Sequence, residues 1–342
     1  MQCDLVLEGG GVKGIALVGA VDVLEEHGYA VQRVAGTSAG AIVGALVAAG
    51  LPRERRAAVM REVDYSRFQD GSLLTRVPGG KLLALVRRQG VYRGDHLREW
   101  LADQLAGCGV TTFADLALPD DAGAARAPGD RWRLLVMASD VTHGALRCLP
   151  RDYPALGCPD PSGVAVADAV RASMSIPLFY RPVRLPGADG GRITLVDGGM
   201  LSNFPVAVFD RRDGREPRWP TFGIKLSARP GTQRAPLADR GLVGMVRAMV
   251  ATMTGFYDQM HLDDPAVRAR TVFVDTFGVK ATDFDLDAET REALYRSGRD
   301  AMERFLATWD FERYKAEHRR PAEVVLPSQP GAADRGRTAT PG

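Results

Sequence analysis

The sequence predicts an α/β fold, a three-layer α/β/α sandwich with a mostly parallel central sheet. Short apolar runs alternate with stretches of helical periodicity along the chain, a pattern typical of parallel strands covered by helices. Glycine-rich turns stand at two junctions between a strand pattern and a helix pattern. The chain has 342 residues, of which 45% are hydrophobic, so it is long enough to bury the core of one large domain.

The first glycine turn, Gly9–Gly14, has the sequence GGGVKG. Ahead of it, residues 3–8 form a short apolar run that predicts a strand. After it, residues 15–27 carry apolar side chains at the spacing of a buried helical face. Backbone N–H groups at such a turn, beside a helix N-terminus, are suited to bind an anion. We therefore expect this turn to bind negative charge.

The second glycine turn, GTSAG, fits the pattern G-x-S-x-G. It lies between a strand predicted at 31–35 and an apolar helix predicted at 41–49. Gly36 and Gly40 are small enough to let the backbone bend sharply around Ser38 and hold its hydroxyl clear of the sheet. Ser38 is therefore a candidate nucleophile for acyl transfer, and the first turn is a candidate stabiliser of the oxyanion that its attack creates.

A nucleotide-dependent oxidoreductase is an alternative, because Gly9, Gly11 and Gly14 also match the dinucleotide pattern G-x-G-x-x-G. Such a site needs an acidic residue about 20 positions further on, at the end of the second strand. That strand instead ends at Ala35, directly before the second glycine turn. A phosphate-binding P-loop fails as well, since Ile15 follows where lysine is required. We expect no cofactor.

A carboxylate is the better candidate for the base that a serine nucleophile needs. Residues 193–196 form a short strand pattern that runs into Asp197, Gly198 and Gly199, which places an acid at a strand end where glycines allow close approach. Since an aspartate has an ordinary pKa of about 3.9, Asp197 must lose solvation in a closed pocket to accept a proton. An aspartate that only caps its own turn is the alternative interpretation.

The five histidines have weaker settings for the role of base. Three are expected at the surface: His27, His96 and His318. His143 follows a predicted strand and is a possible site residue, whereas His261 ends a predicted helix.

Together these residues resemble the patatin-like phospholipase family. The resemblance covers roughly residues 4–210, with Gly9–Gly14, Gly36–Gly40 and Asp197–Gly199 in the family's order. Other segments fit the family too: Ala138-Ser139-Asp140 with Gly144, Arg171 to Pro177 with Phe179 and Pro182, and Asn203-Phe204-Pro205.

The resemblance implies an enzyme that hydrolyses a lipid or another ester. Ser38 is then the nucleophile and Asp197 the general base of a two-residue dyad. Ser38 attacks an acyl carbonyl, and water activated by Asp197 releases the acid from the acyl-serine. A lipid-binding protein on the same fold that lacks catalysis is the alternative.

The resemblance also implies that the backbone N–H groups of Gly10 and Gly11 donate to the oxyanion. The implied oxyanion loop comprises Gly9, Gly10, Gly11, Lys13 and Gly14. Lys13 is a departure, because arginine is the commoner family residue there. Lysine keeps the charge but lacks the bidentate fork of a guanidinium.

A single domain is expected over residues 1–326, with additional strands and helices in 211–326. The predicted elements of this second part are strands at 221–226 and 271–275 and an amphipathic helix at 287–309. Residues 327–342 are rich in Pro, Gly, Ser and Thr, so we expect a disordered tail.

Charge and composition limit the partners. A net charge of +2 gives no bulk attraction to nucleic acid. No uncharged apolar run reaches 18 residues and no signal-peptide pattern is present, so we expect a cytoplasmic protein. The four cysteines form no C-x-x-C pair and are expected to be reduced thiols without a metal.

Two segments bear on contact with lipid. Residues 78–92 have the pattern of an interfacial helix, which allows a transient contact with a membrane surface. Packing inside the fold is the commoner role of such a segment. Met245, Met249 and Met253 recur every four residues and are expected to face the core rather than an acyl channel.

Overall fold

The computed structural model describes residues 1–71, 85, 87–119, 131–187, 190–211, 215–226 and 264–318. The predictions for the methionines at 245–253, for the tail at 327–342 and for most of residues 78–92 lie outside this part of the chain. Within it, no helix is long and apolar enough to cross a membrane.

Strands alternate with helices in much of the chain, and the elements whose bounds were predicted agree with those predictions to within a few residues. The strands are β1 (Gln2–Leu7), β2 (Ala30–Thr37), β3 (Gly90–Tyr92), β4 (Leu134–Asp140), β5 (Ala145–Leu149), β6 (Leu178–Tyr180), β7 (Val183–Pro186), β8 (Arg192–Asp197), β9 (Thr221–Lys225) and β10 (Thr271–Phe273). The helices are α1 (Gly14–Glu26), α2 (Ala39–Ala48), α3 (Arg53–Glu62), α4 (Asp95–Ala106), α5 (Val166–Ser173), α6 (Pro265–Ala269), α7 (Ala288–Leu306) and α8 (Phe311–His318).

The central sheet has the order β10-β9-β1-β2-β4-β8-β7, with β5 paired to β4. The pairs from β10 to β4 are parallel, whereas β5, β8 and β7 join by antiparallel pairs. The sheet is thus mostly parallel, and the predicted α/β fold class is confirmed. A separate ribbon pairs β3 with β6 in parallel.

Helices α1 and α7 pack closely because glycines stand at their crossing. A side-chain carbon at Gly19 would overlap the carbonyl oxygen of Tyr295, and one at Gly298 would overlap that of Ala16. The two backbones therefore approach without intervening side chains, and α1 is buried nearly all round between α7 and its other neighbours. This packing fixes the helix that begins at the first glycine turn.

The register of β4 positions the candidate site. Thr37 at the end of β2 pairs with Met137 of β4, and Asp197 at the end of β8 pairs with the next residue, Ala138, on the same side of β4, because β5 occupies the other side. The residues that follow β2 and that end β8 thus lie at neighbouring levels of one strand. These pairings bring Ser38 and Asp197 near each other, although they lie far apart in the sequence.

Candidate active site

Ser38 occupies a strained turn between β2 and α2. Its φ of 53° and ψ of −121° lie in a region that residues with a side chain rarely adopt. Gly36 and Gly40 make the turn possible. A side-chain carbon on Gly36 would overlap the backbone of Gly40, and one on Gly40 would overlap the carbonyl oxygens of Leu7 and Glu8. The sequence GTSAG therefore forms the elbow that its pattern predicted.

The contacts of Ser38 come from the end of α5. Its backbone N–H donates to Ser173 Oγ at 2.9 Å, and its Oγ lies 3.3 Å from Met174 Sδ. Ser38 is 5% exposed. The flexible side chain of Met174 therefore lies against the hydroxyl.

Asp197 ends β8 and is also buried, with 5% exposed. Its Oδ1 accepts from the Gly199 N–H at 2.8 Å, and its own N–H donates to the Ser175 carbonyl at 2.9 Å. Burial raises the pKa of Asp197 to about 6, while hydrogen bonds from Gly199 and from the Ser38 hydroxyl oppose the rise. A carboxyl group with this pKa can serve as a base near neutral pH.

The structure brings Ser38 and Asp197 together on one side of β4, where the ends of β2 and β8 meet, and two acceptors compete for the serine hydroxyl. In this structure the hydroxyl contacts the Met174 thioether, yet it also stabilises the charged form of Asp197. A carboxylate is a much stronger hydrogen-bond acceptor than a thioether. Asp197 is therefore the stronger of the two possible acceptors.

The first glycine turn lies against the elbow. A side-chain carbon at Gly9 would lie 3.1 Å from Ser38 Cβ. Asn203 holds the turn in place, because its Nδ2 donates to the Gly9 carbonyl at 3.0 Å and its carbonyl accepts from the Gly9 N–H at 3.3 Å. In the part of the chain that the structure describes, the N–H groups of Gly10 and Gly11 have no acceptor. These are the two groups implied as oxyanion donors.

Lys13 and Gly14 lie at the back of this loop. Lys13 Nζ lies 3.4 Å from the carbonyl oxygen of Leu226, directly after β9. Burial lowers the pKa of Lys13, the carboxylate of Glu8 opposes this effect, and the cation of Lys225 adds to it. Gly14 begins α1, where a side-chain carbon would lie 3.3 Å from Ala39 Cβ on α2. The described contacts of Lys13 thus anchor the loop to β9 and do not reach the dyad.

Arg171 positions the segment that contacts both members of the pair. It is 7% exposed, and its Nη1 donates to Ser175 Oγ at 2.6 Å. Its Nη2 donates to the carbonyls of Arg93 and Arg181. Sequence reasoning assigned no role to this arginine or to Ser173, Met174 and Ser175, although the segment fits the family. Its sequence signal was the resemblance of Arg171 to Pro177 to a segment of the family.

Replacing Arg171 by methionine is expected to lower the free energy of unfolding by about 2–4 kcal/mol, because the buried acceptors lose a charged donor. At temperatures below the melting temperature of the variant, we also expect its kcat for an ester to be about tenfold lower than that of the wild type. The reason is that Ser175 then no longer fixes the Asp197 backbone. Urea unfolding and ester kinetics measure the two effects. Exposed Arg55 is the control, and equal losses in Arg55→Met would contradict the assignment.

The described histidines lie away from Ser38 and Asp197. His143 Nδ1 lies 2.7 Å from Asp140 Oδ2, and Arg147 donates to the same oxygen, so this cluster closes the hairpin between β4 and β5. Among the described residues, His27, His96, His143 and His318 make no contact with Ser38 or Asp197. His261 lies outside them.

The glycine turns and the aspartate motif fall within one recognised domain. Residues 5–210 match the family of patatin-like phospholipases. The chain belongs to the patatin-like phospholipase family. This match includes the Gly9 turn, so it favours an esterase or phospholipase over the oxidoreductase alternative.

Individual relatives support the assignment. The chain is 36% identical over 313 residues to the uncharacterized protein YqhO of Bacillus subtilis, covering 91% of this chain and 100% of YqhO. It is 27% identical to a cUMP-AMP-activated phospholipase of Escherichia coli, covering 66% of this chain and 65% of that protein. The structure of VipD from Legionella pneumophila aligns with a TM-score of 0.51 at 17% identity, over 89% of this chain and 66% of VipD. The likeness to VipD shows the fold.

Proposed function

We propose that this member of the patatin-like phospholipase family cleaves fatty acyl esters of lipids through Ser38 and Asp197. The observation that carries the proposal is the meeting of a strained serine and a buried carboxyl group with a pKa of about 6. Both lie beside a glycine loop with unbonded N–H groups. The naming of the Escherichia coli relative as a phospholipase supports the lipid substrate.

The first half-reaction forms an acyl-serine. Asp197 accepts the proton of the Ser38 hydroxyl as the oxygen attacks the ester carbonyl. The negative charge that develops on the carbonyl oxygen is stabilised by the N–H groups of Gly10 and Gly11. When the tetrahedral intermediate collapses, the bond to the leaving alcohol breaks and the alcohol takes the proton from Asp197.

The second half-reaction regenerates the enzyme. Asp197 takes a proton from a water molecule that attacks the acyl-serine, and the same N–H groups stabilise the second oxyanion. Collapse releases the fatty acid, and the proton returns to the Ser38 oxygen. One carboxyl group thus serves as base and then as acid in each half-reaction, which requires a pKa close to the working pH.

The pH dependence follows from the raised pKa of Asp197. Because the charged form is the base, kcat/KM is expected to fall as the pH falls through about 6, with half of the plateau activity near that value. An aspartate with an ordinary pKa would keep full activity down to about pH 4.5. Initial rates with a soluble p-nitrophenyl ester between pH 4 and 9 measure the profile, and activity that stays constant through pH 5 would contradict this role.

A panel of lipid esters with product identification by mass spectrometry tests the proposed function. Phospholipids, lysophospholipids and glycerides are each incubated with the wild type and with Ser38→Ala. The proposal predicts free fatty acid with at least one lipid, and none with the variant. Lipid binding without any released acid would instead favour a lipid-binding protein without catalysis.

A further inference from the structure

Arginine side chains gather at the ribbon of β3 and β6. Gly90 pairs with Leu178 and Tyr92 with Tyr180, so Arg93 and Arg181 leave the same end of two parallel strands. The Arg181 N–H donates to the Tyr92 carbonyl at 2.9 Å and continues the pairing.

More positive charge lies beside the ribbon, and the cation of Arg88 is near enough to act on Arg181. Arg88 lies two residues before β3 and is exposed. Arg184, on β7, donates to Gln89 Oε1 at 2.7 Å and so adds a further cation beside Arg88.

Arg181 lacks a partner for its charge among the described residues. Its Nε and Nη2 are buried and have no hydrogen-bond partner. Burial and the nearby cations of Arg88 and Arg93 lower the pKa of Arg181, while Asp95 and Asp70 oppose this effect. A partly buried guanidinium beside like charges is costly unless an anion neutralises it.

The two nearby acids are already engaged. The carboxylate of Asp70 accepts from the N–H groups of Gly94, Asp95 and His96 at the start of α4. Asp95 forms an ion pair of 2.6 Å with Arg93. In the described part of the chain, neither carboxylate accepts a hydrogen bond from Arg181, so the cluster keeps an excess of positive charge.

A chain of hydrogen bonds connects this arginine cluster to the candidate dyad. The carbonyls of Arg93 and Arg181 both accept from Arg171, which also donates to Ser175 Oγ. The Ser175 carbonyl in turn accepts from the Asp197 N–H. One guanidinium and one residue therefore connect the backbone of the cluster to the base.

We propose that Arg88, Arg93 and Arg181 form an anion-binding site that takes the phosphate group of a phospholipid whose ester lies at Ser38. This proposal rests on the proposed function and names a head-group contact for it. Guanidinium groups bind phosphate oxygens through paired, charge-assisted hydrogen bonds, and Nε and Nη2 of Arg181 have no hydrogen-bond partner among the described residues.

The test compares a lipid that carries the phosphate with one that lacks it. Detergent micelles contain either phosphatidylglycerol or diacylglycerol with the same acyl chains, and hydrolysis of each is measured for the wild type, Arg181→Gln, Arg88→Gln and the exposed control Arg55→Gln. We expect the ratio of phosphatidylglycerol to diacylglycerol hydrolysis to fall about tenfold in the first two variants and to stay at the wild-type value in the control. Because Arg88 is exposed, Arg88→Gln is expected to fold. Its hydrolysis ratio therefore tests the proposal if Arg181→Gln fails to fold.

Binding separates this proposal from the proposed function. Binding of phosphatidylglycerol micelles is measured without turnover, and it is expected to weaken about tenfold in Arg181→Gln and Arg88→Gln even if the wild type hydrolyses neither lipid. Unchanged ratios and binding, or an equal loss in Arg55→Gln, would overturn the site. Inorganic phosphate is titrated separately. The assignment to a lipid would be overturned if the arginine variants weakened saturable phosphate binding but left micelle binding unchanged.

Discussion

The Asp197→Asn variant is expected to hydrolyse esters about 1000-fold more slowly than the wild type while remaining folded. A positioned general base contributes on the order of 10²–10⁴-fold to such reactions. Asparagine keeps the shape and can still accept from the Gly199 N–H, but it cannot take the Ser38 proton. Initial rates with a soluble ester, corrected for active protein, measure the loss.

The same variant is expected to be more stable than the wild type at neutral pH. The folded protein raises the pKa of Asp197 from 3.8 to about 6, so the folded state binds the proton more tightly than the unfolded state does. The stability of the wild type therefore falls as the pH rises between these values, by up to about 3 kcal/mol. Asparagine has no charge to bury, so Asp197→Asn should gain about 1–3 kcal/mol above pH 6 and nothing below pH 4.

Denaturant unfolding of both proteins at pH 4 and pH 7.5 measures this difference. Exposed Asp103 provides the matched control, since Asp103→Asn should change neither activity nor stability. A variant that loses activity and stability together at pH 7.5 would point to a structural role for Asp197. Full activity in the folded variant would refute its role as the base.

The Ser38→Ala variant is expected to lose at least about 10⁴-fold in kcat, because the other hydroxyl of the elbow, on Thr37, is fully buried and donates to the Ser202 carbonyl. The N–H groups of Gly10 and Gly11 would leave only the residual rate that an oxyanion site alone supports. Hydrolysis of a p-nitrophenyl ester measures the loss, with exposed Ser66→Ala as the control.

A second replacement at position 38 separates chemistry from strain. Ser38 has a φ of 53°, which glycine adopts freely. Ser38→Gly should be as inactive as Ser38→Ala yet more stable by about 1 kcal/mol. Substantial activity in either variant would assign the nucleophile to another residue, and equal stability of the two would argue against strain at the elbow.

The glycine turns were predictable because their geometry is local. A side-chain carbon on Gly36 would overlap the backbone of Gly40, four residues further on, so the spacing of the two glycines around Ser38 is visible in the sequence. The strand that ends at Asp197 was predicted for the same reason, from a short apolar run followed by two glycines. These features require no knowledge of distant partners.

The direction of β8 and the contacts of α5 could not be predicted in this way. Asp197 reaches the elbow because β8 runs antiparallel to β4, which depends on a pairing between distant parts of the chain. Arg171 would ordinarily be placed on an exposed helix face, but three acceptors from separate segments bury it. Met174 contacts Ser38 only because α5 ends beside the elbow.

The most direct test of the proposed dyad is to treat the wild type with a fluorophosphonate probe and to locate the adduct by peptide mass spectrometry. The proposal predicts a single adduct on Ser38, formed much more slowly in Asp197→Asn and more slowly in the wild type below pH 6. An adduct on another residue, or labelling of Ser38 at an equal rate in Asp197→Asn, would contradict it.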